Sequence, residues 1–311
     1  MASGSIDQAR ETRESIQDLE EVEPSPVEET PVDAETDDGY FPQSNSAKLP
    51  LHAKSSSLGL SGHNPVYYLS RLHRYSTYAF TPFVLIHLTS TSLIPLATRS
   101  IPTSDRLLLS FRPLYHSPIG EVALILAPIA VHVTTGILLR LHRRRATAAR
   151  YGAESRAERR KLRWPKLSGT SKLGYMLIPL LAVHAGVNRG LPVLVEGGSE
   201  NVGLGFVAHG FARFPVLSNV VYIGVVGLGI AHFAWGWARW LGKRPEYIVE
   251  GGVSGQKRRK RRWWAINMAW ALLTGVWLAG GIAIVGRGGV AEGWIAREWD
   301  GLYGRIFTDW A

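Results

Sequence analysis

Five long apolar segments, separated by polar or basic stretches, constrain the fold of this chain more than any other feature. They cover residues 75–97, 119–139, 173–195, 216–238 and 263–285. A helix needs about 20 residues to cross the roughly 30 Å of hydrocarbon in a bilayer, and each segment is long enough. None of them alternates polar and apolar residues as transmembrane strands do. The sequence therefore predicts an all-α polytopic membrane protein with five transmembrane helices within residues 66–288.

The charges between these segments predict their orientation. Residues 140–172 and 239–262 are rich in Arg and Lys, whereas the other two connections are short and carry few basic side chains. Basic residues beside helix ends stay in the cytosol. We therefore expect the N-terminus in the cytosol and the C-terminus on the other side. Binding to nucleic acid is a weaker explanation of these charges, because cytosolic loops of membrane proteins face anionic lipid headgroups.

The two ends of the chain differ from the membrane domain. Residues 1–65 are acidic and rich in Ser and Pro, which predicts a disordered cytosolic tail. This tail resembles neither a signal peptide nor an Arg-rich mitochondrial presequence. Residues 289–311 contain apolar side chains at three- and four-residue steps, which predicts a short helix in the opposite membrane interface. These side chains are Ile295, Trp299, Leu302, Ile306 and Trp310.

The membrane segments contain an internal repeat. The first and third share a Tyr, Pro, His, Pro template at an offset of 97 positions: Tyr78, Pro82, His87 and Pro95 against Tyr175, Pro179, His184 and Pro192. The second and fourth share a His and a Gly at an offset of 100: His132 and Gly136 against His232 and Gly236. We interpret residues 71–145 and 168–245 as two copies of one helical hairpin, to which the fifth helix is appended. Both copies then enter the membrane from the same side.

Four histidines near the middle of the apolar segments are the main functional candidates: His87, His132, His184 and His232. Ionisable side chains within a membrane are costly, so they indicate a functional site by default. The glycines at 136 and 236 lie one turn beyond a histidine and remove bulk beside it. The repeat predicts that His87 and His184 lie at similar depth, as do His132 and His232.

Three interpretations of these histidines remain open. One is bis-histidine ligation of haem b, which resembles the plan of dihaem b-type cytochromes and of succinate dehydrogenase membrane anchors. The sequence departs from that plan in one respect. All four histidines lie near the middle of their segments, whereas two stacked haems need histidine pairs nearer opposite faces of the membrane. A second is a polar groove, which would ease the passage of lipid headgroups. Its lining would be the histidines with Tyr78, Tyr175, Thr89, Ser90, Thr91, Ser92, Asn188 and Asn219. The third is hydrogen bonding between helices.

Other chemistries have little support in the sequence. Zinc motifs on helices cluster their ligands, and no acidic partner accompanies these histidines. The chain has no cysteine, and Glu121 is the single acidic residue within the five apolar segments. We therefore predict no catalytic residues and no metal ligands, and the sequence leaves open whether the protein is an enzyme.

The acidic tail contains a short motif in which Leu19 and Val22 precede Pro24 and Pro26. Proline holds the backbone extended and lowers the ordering cost when such a segment docks. The tail, the duplicated hairpins and the sequence Arg71-Leu-His-Arg74 before Tyr78 together resemble a family. It is the fungal Mcp-type family of mitochondrial outer-membrane lipid-homeostasis proteins, known as suppressors of loss of the ER–mitochondria encounter structure.

The resemblance implies a function and a location. It implies that Leu19, Val22, Pro24 and Pro26 recruit a bridge-like lipid-transfer protein of the chorein (Vps) type. It also implies that the membrane domain scrambles phospholipids between leaflets, with the histidine-lined seam as the lipid path. The expected location is the mitochondrial outer membrane, with the N-terminus in the cytosol and the C-terminus in the intermembrane space.

Overall fold

A computed structural model describes residues 64–308 of the chain. The tail motif around Pro24 and Pro26 and the last aromatic residue of the C-terminal stripe, Trp310, lie outside these residues. Within them the secondary structure is helical and contains no strand. Five helices are long and apolar enough to cross a membrane, which confirms the predicted fold class.

The described residues form nine helices. The five candidate membrane spans are α1 (Pro65–Thr98), α3 (Pro118–Arg150), α5 (Gly169–Glu196), α7 (Pro215–Trp240) and α8 (Gly252–Gly281). Four shorter helices connect or follow them: α2 (Ile101–His116), α4 (Arg156–Lys161), α6 (Leu204–Arg213) and α9 (Gly293–Thr308). The spans are longer than the apolar segments. Helix α3 continues into basic sequence after its apolar segment, and α8 begins in basic sequence before its own.

Local sequence explains where several helices begin. The side chains of Ser100, Ser117 and Ser168 each accept a hydrogen bond from a backbone N–H in the first turn of α2, α3 and α5. Ser155 forms a capping box with Glu158 at the start of α4. Such caps satisfy backbone donors that have no partner inside the helix. The helix boundaries therefore follow from single polar residues rather than from hydropathy.

The spans pack as two hairpins and one bridging helix. Helix α1 packs along α3, α5 packs along α7, and α8 packs along α7 and against a deformed turn of α1. At that turn the Ser92 hydroxyl donates to the Trp277 carbonyl at 2.8 Å. A Cβ atom at Gly280 would lie 2.1 Å from the Ser92 carbonyl oxygen, so the two backbones touch there. Glycine is thus required for α8 to reach the first hairpin.

The first and third spans share a structural deformation as well as a sequence template. Each contains one π-helical turn, Thr89–Leu93 in α1 and Gly186–Gly190 in α5. The two turns are separated by the same 97 positions as the template. Each is followed by a fully buried proline, Pro95 or Pro192. The first helices of the two hairpins therefore correspond in local geometry, whereas α3 has a further π turn, Val122–Leu126, that α7 lacks.

Helices α2, α6 and α9 form a cap at one end of the bundle, which we call the capped end. The sequence predicts short loops in place of α2 and α6, and this prediction is wrong. They have only 16 and 10 residues, so they lack the long apolar run of a span. The helix predicted from the C-terminal stripe is present as α9, in which Trp299 and Leu302 are 7% and 2% exposed and pack on Phe206 of α6.

A polar network fastens α9 to this cap. His209 is fully buried; its Nδ1 accepts from the Ala291 N–H at 3.0 Å, and its Nε2 donates to an Asp300 carboxylate oxygen at 2.9 Å. Arg213 also donates to Asp300 through Nε at 2.8 Å. These bonds lower the pKa of Asp300, chiefly through Arg213 and then through His209. The carboxylate therefore links α9 to two residues of α6.

We expect Asp300→Ala to lower the free energy of unfolding by about 1–3 kcal/mol, because it leaves the buried His209 N–H without an acceptor. Thermal unfolding in detergent measures the loss, and hydrogen exchange locates it in residues 293–308. In the natural protein, the stabilisation from Asp300 is present above its unfolded pKa of 3.8 and is lost as pH falls through the lower folded value. Asp300→Ala should lack this acid dependence. Glu292→Ala removes an exposed carboxylate just before α9 and serves as control; equal effects would contradict the assignment.

Candidate functional site

The histidines of the spans lie in two tiers. The end of the bundle opposite the cap carries the Arg-rich ends of α3, α7 and α8, and we call it the basic end. His132 and His232 lie toward the basic end and have ring centres 5.9 Å apart. His87 and His184 lie toward the capped end, with ring centres 6.0 Å apart. Each pair joins the two repeat-related positions, one from each hairpin.

The placement of all four histidines near mid-span is wrong. His132 stacks on His73, which lies near the start of α1, with ring centres 3.9 Å apart. His73 precedes His87 by roughly 20 Å of helix at 1.5 Å per residue. The apolar segments do not reveal this separation, because depth depends on how α3 is aligned along α1, and His132 lies beside His73, two residues before the first apolar segment. The two pairs therefore occupy different halves of the bundle.

The basic-end pair is held by equivalent hydrogen bonds in the two hairpins. The His132 Nδ1 lies 3.2 Å from the His73 carbonyl oxygen, and the His232 Nδ1 lies 2.9 Å from the Thr170 carbonyl oxygen. His73 and Thr170 are themselves separated by the repeat offset of 97. An imidazole nitrogen that faces a carbonyl must donate its proton. Each ring is therefore oriented by the neighbouring helix of its own hairpin.

His73 is a site residue that the sequence reasoning did not select. It lies within Arg71-Leu-His-Arg74, so its flanking charges suggested a position outside the membrane. Its Nδ1 is 3.0 Å from the His132 carbonyl oxygen and 3.1 Å from the Thr135 hydroxyl. A Cβ atom at Gly136 would lie 3.2 Å from the His73 ring, so this glycine makes room for His73 rather than for His132. At Gly236 the corresponding space is open.

The capped-end pair lies among aromatic and basic side chains. Phe83 stacks on His87 with ring centres 5.2 Å apart, and Tyr115 of α2 meets Phe83 edge-on at 5.3 Å. His116 ends α2 close by. Burial, followed by the nearby cations Arg112 and Arg189, lowers the pKa of His116 to about 4. At neutral pH it is therefore an uncharged ring.

Two arginines close the bundle beyond this pair. Arg189 forms a bidentate ion pair with Glu121, at 2.9 and 2.6 Å, which joins α5 to α3. Arg112 is 9% exposed and donates to the carbonyls of Ser199 and Val202, at 2.6 and 3.0 Å. These bonds satisfy the carbonyls that follow α5. Together with the ion pair of Arg189 and Glu121, they give the charged side chains at the capped end their partners.

Several of the polar side chains expected to line a groove beside the histidines bond to backbone carbonyls. Ser90 and Ser92 are 0% and 1% exposed and donate to backbone carbonyls. Thr91 and Asn188 likewise donate to carbonyls four residues earlier in their own helices. Tyr78 accepts from the Arg74 Nε at 2.7 Å near the basic end, and Tyr175 is 39% exposed. The two tyrosines thus stand apart from the capped-end pair.

A groove of about 520 Å³ lies instead between α5, α7 and α8. It is lined by Leu173, Ile223, Gly224, Gly227, Leu228, Ala231, Trp235, Asn267 and Trp270. Trp270 donates its indole N–H to the Gly227 carbonyl at 2.9 Å. From Trp235 to Ile223 it extends roughly 18 Å along α7. This length is more than half of the roughly 30 Å thickness of the hydrocarbon of a bilayer.

A basic pocket of about 340 Å³ lies where α3, α4 and the segment before α5 meet. Its lining includes Arg144, Arg145, Arg159, Arg163 and Trp164. The Arg144 guanidinium lies 3.7 Å from the centre of the Trp164 ring, and its Nη1 is buried without a hydrogen-bond partner. Such a guanidinium is suited to a phosphate oxygen. Basic pockets at this end of membrane proteins bind lipid headgroups.

Residues 179–290 match the family described as MDM10-complementing protein 1, transmembrane domain. The matched part takes in most of α5, all of α6 and α7, and α8. It therefore contains His184, His232 and nearly all of the groove. The match confirms the resemblance to the Mcp-type family. No curated protein and no solved structure shows a significant match to the chain.

Gly174 tests whether the position of His232 depends on close packing. A Cβ atom there would lie 2.8 Å from the His232 ring. We expect Gly174→Ala to displace the ring, break its bond to the Thr170 carbonyl and destabilise the domain by about 1–3 kcal/mol. Thermal unfolding in detergent measures this loss. Gly169→Ala is the matched control on the same helix, because no atom lies within 4 Å of its added methyl; similar unfolding temperatures for the two variants would contradict the claim.

Proposed function

Because residues 179–290 identify a membrane protein of the MDM10-complementing type, we propose that this protein serves lipid homeostasis in the mitochondrial outer membrane. In this proposal, the N-terminal tail recruits a bridge-like lipid-transfer protein of the chorein (Vps) type. The membrane domain then lets phospholipids exchange between leaflets. The N-terminus faces the cytosol and the C-terminus the intermembrane space, in accord with the basic end of the bundle.

The two roles are physically linked. A bridge-like protein delivers lipid to the leaflet that faces the cytosol, so that leaflet would expand while the other would not. Continued transfer therefore requires a path by which headgroups cross the hydrocarbon. Burying a polar headgroup without partners costs several kcal/mol or more, so the path must shorten the apolar distance or supply polar contacts.

The groove between α5, α7 and α8 is the observation that carries the scrambling proposal. Gly224 and Gly227 both line it; Leu180 of α5 packs against Gly224, whereas the space beside Gly227 is open, because a Cβ atom there would meet no atom within 4 Å. Asn267 and Trp235 place polar atoms along its basic-end part. A headgroup that enters beside them would follow the groove for roughly 18 Å of the roughly 30 Å of hydrocarbon. Acyl chains can remain in the bilayer while the headgroup follows the helix surface.

The basic pocket supports lipid supply to this path. Anionic lipids gather where basic residues meet the cytosolic leaflet, at about 1 kcal/mol per Lys or Arg near the surface. The pocket opens beside α3, and the run of basic residues at 257–262 begins α8. Both surround the basic end at which the groove begins. Phospholipid would therefore be concentrated where it enters.

Recruitment rests on the tail motif of Leu19, Val22, Pro24 and Pro26, which lies outside the described residues. Its extended prolines and apolar neighbours suit binding by addition of a strand or by insertion into pockets. Tail and membrane domain can be tested separately, because the groove lies within residues 173–270.

Gly227→Leu should block scrambling. A Cβ atom at Gly227 meets no atom within 4 Å, so the leucine can extend into the groove without displacing a neighbour. We expect the rate of lipid exchange to fall about tenfold, which corresponds to a barrier about 1.4 kcal/mol higher. Liposomes with fluorescent lipid in both leaflets, treated with a membrane-impermeant quencher, measure the rate.

Gly275→Leu is the matched control for this experiment. Gly275 is an exposed glycine of α8 that lies outside the groove, and its Cβ also meets no atom. It should scramble at the natural rate. If the natural protein leaves the inner-leaflet fluorescence untouched, the scrambling proposal fails; if both variants slow exchange equally, the groove is not the path.

Replacement of both Pro24 and Pro26 by alanine should abolish recruitment of the lipid-transfer protein without affecting membrane insertion. The reason is the higher cost of ordering a more flexible segment. Co-purification from mitochondria with the tagged chain measures recruitment. Alanine at Pro31 and Pro42 changes the same number of tail prolines and should have no effect; unchanged recovery of the partner with the Pro24/Pro26 variant would rule out the adaptor role.

A further inference from the structure

We propose that the two histidine pairs are the axial ligands of two b-type haems, one between His87 and His184 and one between His132 and His232. This inference is independent of the lipid path, because the groove that carries the proposed function contains none of these histidines. Four observations support it: the spacing of the rings, the free nitrogens, the number of ligands and the separation of the hairpins.

The spacing of the rings fits one iron atom in each pair. A coordinating imidazole nitrogen lies about 2 Å from its metal, so two rings on opposite sides of one metal have centres about 6 Å apart. The observed distances are 6.0 Å for His87 and His184 and 5.9 Å for His132 and His232. The two rings of each pair are nearly perpendicular, at 74° and 84°, unlike the parallel rings of His73 and His132, whose centres are 3.9 Å apart.

The hydrogen bonds leave the correct nitrogen free in the basic-end pair. Both His132 and His232 direct Nδ1 to a backbone carbonyl of the neighbouring helix, at 3.2 and 2.9 Å. Histidines that bind metal donate their second ring N–H in this way, which fixes the tautomer and the ring orientation. The proton is then on Nδ1, and the Nε2 lone pair of each ring is available to iron. The same bond occurs in both hairpins, so both ligands are prepared alike.

The number of ligands favours haem over a bare metal ion. Zinc takes three or four protein ligands. The described residues contain no group of three or more His, Cys, Asp or Glu side chains that could hold a metal. A porphyrin supplies four nitrogens itself and needs only two axial ligands from the protein. Two histidines on facing helices are therefore sufficient for haem and too few for zinc.

The two hairpins contact each other through side chains rather than through closely packed backbones. Backbones approach closely within each hairpin, α1 with α3 and α5 with α7, whereas α1 with α5 and α3 with α7 have no comparable approach. Both histidine pairs bridge these wider separations. Small residues border them: Cβ atoms at Gly186 and Gly236 would meet nothing within 4 Å. Cofactors in helix bundles occupy this position between facing helices.

The two pairs are also placed as two separate cofactors would be. They lie roughly 20 Å apart along α1, one in each half of the bundle. Cationic side chains flank each level: Arg74 and Arg239 at the basic end, and Arg112 and Arg189 at the capped end. The carboxylate groups of a haem would meet positive charge at either level.

The visible absorption spectrum of the purified full-length protein tests the proposal. The protein is produced with added haem precursor, purified in detergent and measured before and after dithionite, with haem quantified against protein. We expect two haems per chain, a Soret band that sharpens on reduction, and no rise in bound zinc or copper. A protein without haem after such production, or after incubation with haemin, would overturn the proposal. So would stoichiometric zinc or copper in its place.

Single substitutions test the pairing itself. His87→Ala and His184→Ala should each remove the same half of the haem, and their combination should remove no more. His132→Ala and His232→Ala should each remove the other half. His142→Ala, which changes a histidine of α3 outside both pairs, should retain two haems. Loss of haem in any other pattern, or no loss in all four variants, would overturn the assignment.

Two further measurements separate loss of a ligand from loss of the fold. His132→Met keeps an iron ligand and should raise the reduction potential of one haem while leaving the other unchanged. His132→Gly should recover its lost haem when imidazole is added, because free imidazole can fill the ligand position. An unchanged potential in the first variant together with no recovery in the second would overturn the assignment of His132.

Discussion

The hydrogen bond from a histidine ring to a backbone carbonyl of the adjacent helix is the contact on which the rest of the bundle depends. It occurs twice, from His132 to His73 and from His232 to Thr170. Each bond fixes the register between the two helices of a hairpin and at the same time aims the remaining face of the ring toward the other hairpin. The structural and the functional demands on these two residues are therefore met by different nitrogens of one ring.

The fifth span joins the two hairpins, and the cap covers one end of the bundle. Helix α8 reaches both hairpins, because Gly280 lets its backbone touch Ser92. The cap helices cover the opposite end with a core around Phe206. Charged groups remain there because Glu121, Arg189 and Arg112 satisfy one another or nearby carbonyls. The groove exists on the flank where α5, α7 and α8 diverge, so lipid contact and the histidine pairs occupy separate parts of the domain.

Hydropathy was sufficient to predict the five spans, and the offsets of 97 and 100 were sufficient to predict which histidines pair. Hydropathy could not predict α2 and α6, because short helices buried against other helices lack a long apolar run. Nor could hydropathy assign depth, because the alignment of α3 along α1 brings His132 to the level of His73 rather than of His87. Gly136 was predicted to make room for its own histidine, yet the contact crosses to His73, which only the packing of α1 on α3 reveals. The serines expected in a seam satisfy their hydroxyls with carbonyls, a choice that sequence does not determine.

The π turns of α1 and α5 have a consequence for how this domain can vary. A π turn accommodates one more residue than regular helix, and each residue of a helix turns the chain by about 100°. Removing one residue from 89–93 or 186–190 would therefore restore regular helix while the helix on either side keeps nearly its present rotation. Pro95 and Pro192, now fully buried, would keep their positions. These two turns are thus the places inside a span where a related chain can be one residue shorter without repacking the helices beyond.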